Sequence, residues 1–162
     1  MKKNPVFYGL IGLLFCASAT ASECKGIASE YTYSSQPSLH AKISPVKING
    51  GKMAVGVLLE DKEHHLKSWF LVDKGAGSYS SLISVPDFTA PGWKQPDPDG
   101  PRAIRDLPVF GWEQSLKMVD DFRTMNHAPE FLFIPELAEV VTHGIENSFP
   151  LSPGIFKRTE CK

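Results

Sequence analysis

The densest set of chemistry-bearing side chains is the run Glu60-Asp61-Lys62-Glu63-His64-His65. Imidazole and carboxylate together suit zinc and its neighbours. Adjacent residues on a strand point to opposite sides, however, so His64 and His65 converge only if a turn twists them. The run lacks an H-E-x-x-H spacing, and the chain offers no second cluster to complete a site. It reads as a solvated hairpin tip. No metal or other cofactor is expected.

Two further motifs resolve into turns. Pro96-Asp97-Pro98-Asp99-Gly100 has the look of a calcium loop but lacks the later ligands and the closing glutamate; Pro, Asp and Gly in this order specify consecutive turns. Gly75-Ala76-Gly77-Ser78 could turn backbone N–H groups toward a phosphate, yet it has no third glycine and precedes a strand. Nucleophilic catalysis has serines and five histidines to draw on but no G-x-S-x-G elbow. His127 and His143 fall in a half of the chain that reads as helical, where surface or capping roles are commoner than catalysis. No catalytic residue is assigned.

The segment from Pro86 to Pro108 is different. It holds Pro86, Pro91, Pro96, Pro98, Pro101 and Pro108, too many for a helix or an interior strand. A loop this long inside a compact domain is usually functional or disordered. Prolines restrict its unbound conformations, which lowers the ordering cost of binding. Phe88, Trp93, Lys94, Asp97, Asp99, Arg102 and Arg105 are its candidate partner-binding residues, because aromatic and arginine side chains are the usual anchors. The competing reading folds Phe88 and Trp93 back over the sheet as a lid.

The elements that must position this loop follow from periodicity. Alternation predicts strands near 27–35, 39–48, 53–59, 66–73 and 81–85, with Asn49-Gly50-Gly51 as the best turn signal. Met53, Val55, Val57 and Leu59 alternate with Ala54, Gly56 and Leu58, so this strand should be apolar on both faces and central. Beyond the loop, Trp112, Leu116, Val119 and Phe122 recur at helical spacing and predict a helix ending near Asn126. A second helix is predicted after Pro135, burying Leu137, Val140, Val141 and Ile145. The stretch 154–161 is expected to return as a strand beside the N-terminus. The fold class expected is therefore α+β, an antiparallel sheet of four to six strands with about two helices from the C-terminal half packed on it.

The first residues carry an address. Lys2 and Lys3 precede an apolar run from Val6 to Ala17, and Ala19-Thr20-Ala21 supplies small residues at the cleavage positions. Residues 1–21 read as a cleaved signal peptide, and 22–162 as a single domain. The apolar run falls short of the roughly 20 residues a bilayer core requires, so no membrane anchor is expected after cleavage. Two cysteines then remain, Cys24 and Cys161, and in an oxidising compartment they should pair. Closing so long a loop contributes about 5 kcal/mol in the chain-entropy model.

With 17 basic against 18 acidic side chains, the chain has no electrostatic pull on nucleic acid. An exported, stapled domain with a presented loop and no evident catalytic set predicts a periplasmic or secreted protein-binding module. Its expected partner is another protein, an exported toxin or envelope enzyme that it would inhibit as an immunity protein does. The alternatives are a small envelope hydrolase assembled only in the fold, and a carrier of a small ligand.

Overall fold

The computed structural model describes residues 26–74, 79–97, 100–119, 121, 123 and 127–161. The signal-peptide residues, Cys24, the 75–78 turn, Asp99 and Phe122 lie outside them.

Nine strands form one antiparallel sheet: β1 (Ser29–Tyr33), β2 (Leu39–Lys47), β3 (Met53–Asp61), β4 (Leu66–Asp73), β5 (Ser80–Val85), β6 (Leu107–Trp112), β7 (Met118–Val119), β8 (Phe131–Phe133) and β9 (Phe156–Cys161). Strands β1 to β5 are a meander whose members lie close to the predicted segments. The sheet then closes. β5 pairs with β6 through Ser80–Val109 and Leu82–Leu107, β6 pairs with β8, β8 with β9, and β9 with β1. Eight strands thus make a closed barrel, with the two-residue β7 lying beside the end of β6.

This overturns the expected α+β layering of a sheet under two helices. Among the described residues one short α-helix, α1 (Leu137–His143), follows Pro135 and buries Leu137, Val140 and Val141. The helix expected from Trp112 to Asn126 is absent from its described part, which is a β-hairpin. The Glu113 N–H donates to the Lys117 carbonyl and the Leu116 N–H to the Glu113 carbonyl, with Leu116 at a φ of 62°. Trp112 and Val119 on the two strands, and Leu116 in the five-residue connection between them, recur three to four positions apart. That is also the helical period, and it produced the error.

An eight-stranded barrel is just wide enough for side chains to fill it. Here Tyr31, Leu39, Val57, Leu59, Phe70, Leu82, Leu107, Leu132 and Phe156 do so, all nearly inaccessible to solvent. Every second residue faces outward. Lys42 stands opposite Leu58, and Glu60 opposite Lys67, on the outer surface. A tightly packed apolar interior differs from the polar interior of a membrane-spanning barrel.

Both mouths are covered. At one, α1 and the chain after it pack on the turns: the Tyr33 and Ser35 hydroxyls donate to the Ser152 carbonyl, and the His64 ring stacks on Phe149 with centroids 3.8 Å apart. At the other, the Tyr31 hydroxyl and the Arg158 guanidinium reach the carbonyls of Pro129 and Ala128. Arg158 also holds Glu130 at 2.6 Å. Cys161, at the end of β9, is disulfide-bonded.

Candidate binding site

The connection from β5 to β6 leaves one mouth of the barrel, runs along the outer wall toward the other, and returns. It is a strap, and local chemistry holds it. Asp87 accepts from the N–H and hydroxyl of Thr89, contacts that hold its carboxyl below the usual range. The Trp93 N–H closes a turn on the Ala90 carbonyl, with Gly92 at a φ of 75°. Farther along, the Asn49 side-chain amide donates to the Gln95 carbonyl, tying the strap to the β2–β3 turn. The Ile104 N–H donates to the buried Ser84 hydroxyl as Ile104 enters the core.

The candidate residues named from the sequence are thereby dispersed. Phe88 lies on the barrel wall over Gly56, and Trp93 meets it edge-on with centroids 6.4 Å apart. Both are half-buried. Lys94 and Asp97 are exposed, Arg102 donates to the Ser84 carbonyl at 3.4 Å, and Asp99 lies outside the described residues. Arg105 faces elsewhere: it pairs with Glu136 at 2.9 Å and Glu139 at 3.5 Å, holding the strap to α1.

Between strap and wall is a cleft of about 400 Å³. Its floor is apolar, built by Ala54, Leu71, Ile83 and Val85 from the outer faces of β3, β4 and β5. Gln95 and Pro96 of the strap form one wall, and Arg102, Asp106, Asp73 and Arg123 bring charge to it. Arg123 is anchored there by Asp121 at 2.6 Å and by Asp73 at 3.9 Å; the guanidinium lowers the Asp121 carboxyl. A second, more open hollow of about 490 Å³ lies where Phe88, Trp93 and Lys94 face Val46 and Lys47. The Trp93 indole N–H is buried beside it and finds no acceptor among the described residues. Buried donors are normally paired, so this orphan is an exception among the described residues.

Sequence reasoning missed the floor. Leu71 and Ile83 were legible only as strand residues, because nothing in a strand's alternation tells which of its faces a distant loop will cover.

The His/Asp/Glu run also has a definite place. Asp61 is fully buried at the β3–β4 tip, where it accepts from the Ser38 hydroxyl at 2.8 Å and from the N–H groups of Glu63 and His64. Burial alone would raise its carboxyl, but the Ser38 hydroxyl and the His64 ring and N–H outweigh it and hold it below the usual range. His64 Nδ1 is 3.2 Å from the carboxylate but off the line of a full hydrogen bond, so that contact is electrostatic more than directional. Ser38, Asp61 and His64 have the composition of a catalytic triad without its order. The serine donates to the aspartate and not to the histidine, and the backbone N–H groups serve the carboxylate instead of an oxyanion. The donor atoms of Asp61, Glu63 and His64 lie within 4.8 Å of one another, yet Asp61 already holds the turn together.

Comparison with protein-family models, curated proteins and solved structures found no match for this chain.

Proposed function

We propose that this chain is an exported protein-binding module, an inhibitor or immunity protein of the envelope, and that it grips its partner with the strap and the hollows beside it. The observation that carries this reading is the proline-rich strap held over an apolar-floored, charge-walled cleft. Such a surface is shaped before the partner arrives, and pre-organisation is what turns modest contact area into affinity. An apolar centre ringed by charge and hydrogen-bond donors is the usual anatomy of an interface. The filled barrel interior speaks against a carrier of the kind that swallows its ligand, and the Ser38–Asp61–His64 order speaks against hydrolysis.

The test is a titration of the mature chain against exported toxins and envelope enzymes, beginning with any that a neighbouring gene encodes. A one-to-one complex that suppresses the enzyme is expected. Arg102→Glu should weaken that complex roughly 30-fold or more, in the range of an interface hot spot, while Lys157→Glu on another wall leaves it unchanged. No complex, or one indifferent to Arg102, would remove the cleft from the site.

A second reading has one observation in its favour. The cleft's volume of about 400 Å³ lies within the range of small-molecule sites. An apolar ligand that raises the melting temperature of the parent but not of Ile83→Glu would support it.

A further inference from the structure

The wall formed by β6 and β8 carries an unbroken aromatic strip. Leu107, Val109 and Gly111 point inward, which turns Phe110 and Trp112 out. Phe110 stands opposite Phe133, and Trp112 opposite Phe131. Ring contacts run across it: Tyr79 to Phe110 at 5.1 Å, Phe110 to Trp112 at 6.2 Å, and Trp112 to Phe133 at 6.4 Å. Met118, opposite Trp112 on β7, extends the strip on one side, and Ile155, just before β9, extends it on the other.

These side chains are not spent on the core. Tyr79 is 55% exposed, Met118 40%, Ile155 40%, and Leu116 at the tip of the β6–β7 hairpin 74%. At roughly 200 Å² per large side chain, these four offer about 400 Å². The partly covered rings beneath bring the face to about 600 Å², the upper end of what a monomer commonly exposes. Two such faces set together would bury about 1,200 Å², where stable interfaces begin.

We infer that this face is a self-association surface, and that its occupant is a second copy of this chain, docked face to face about a two-fold axis. Among the described residues the strip from Tyr79 through Phe110 and Trp112 to Phe133 is itself uncharged, and Lys157, opposite Phe131 on β9, is exposed at its edge. Identical faces can therefore meet through their apolar centres with Lys157 left at the rim, as an isologous contact allows. The eight barrel strands have no free edge to lend, and β7 beside them is only two residues long, so association has to use a face. The strap crosses β3 to β5, on a different wall, and a dimer built this way leaves both straps open. The inference is independent of the strap's function.

The experiment is sedimentation equilibrium of the mature chain from low micromolar to several hundred micromolar, beside the Tyr79→Lys/Met118→Lys double variant. Both sites are exposed, so the variant should melt like the dilute parent. The parent should pass from one chain to two with concentration, and the variant's dissociation constant should rise roughly 30-fold or more, as for loss of central anchors. A parent that keeps the mass of one chain throughout overturns the inference. So does a dimer that forms equally well in the variant, or a partner enzyme whose binding is lost in the variant and kept in Arg102→Glu.

Discussion

The ring of Phe88 lies directly over the bare α-carbon of Gly56, so that a Cβ on Gly56 would come within 2.9 Å of the ring and 2.5 Å of Val46 Cγ2. A glycine in the middle of a central strand weakens that strand. Here it opens the niche in which the strap is seated. Gly56→Val should cost about 1–3 kcal/mol through overpacking, because Val46 is stiff and cannot withdraw. It should also lift Phe88 and make the strap a preferred site of proteolytic cleavage. A variant that melts and resists protease like the parent would mean that the strap is not seated on Gly56.

Val57, next along β3, points the other way into the barrel and is 2% exposed. Val57→Asp buries an unpaired charge among apolar side chains and should prevent accumulation of folded protein. Leu58→Asp faces outward, opposite Lys42, and should cost no more than about 1–2 kcal/mol. A one-residue slip of register would exchange the two phenotypes. Equal phenotypes would mean that β3 does not separate inside from outside as described.

The contrast between these neighbours shows what was legible in the sequence. β1 and β2 alternate, and from β1 to β4 each strand is joined to the next by a short turn, so local pattern and local pairing agree there. Closure was not legible, because Ser80–Val109 and Leu82–Leu107 pair across the whole strap. Nor was the aromatic wall: Phe110 and Trp112 are apolar on a strand whose other face is also apolar, which erases the alternation. For the site, prolines and aromatics pointed to the strap, but the destination of Phe88, Trp93 and Arg105 depends on contacts with β3 and α1 that no local spacing encodes.

Asp61 makes the acid side of the stability curve predictable. Its carboxyl titrates lower in the folded chain than in the unfolded one. Its contribution is therefore complete above about pH 3.9, the unfolded value, and is lost as the pH falls through the folded value. Asp61→Asn should cost about 2 kcal/mol near neutrality, the loss of a charge-assisted hydrogen-bond set. Chemical denaturation at several pH values should show the gap between parent and variant constant above about pH 4 and shrinking below it. A gap that stays fixed into strong acid would remove the ionised carboxylate as the cause.

Trp93 separates what the strap does for the fold from what it does for a partner. The half-buried indole packs on Phe88, so Trp93→Ala should lower stability by about 1–3 kcal/mol, less than a fully buried Trp, or several degrees of melting temperature. Loss of binding in that variant would have two causes at once. Trp93→Phe keeps most of the packing and removes only the buried N–H, which has no acceptor among the described residues. Deleting an unsatisfied donor leaves the free protein at least as stable. If a partner supplies the missing acceptor, the same change should weaken the complex by about 1–2 kcal/mol, roughly 5- to 30-fold. Melting and titration on Trp93→Phe therefore give opposite readings for a binding strap. Unchanged affinity would leave Trp93 as a clasp for the loop and place the contact in the cleft around Arg102 alone.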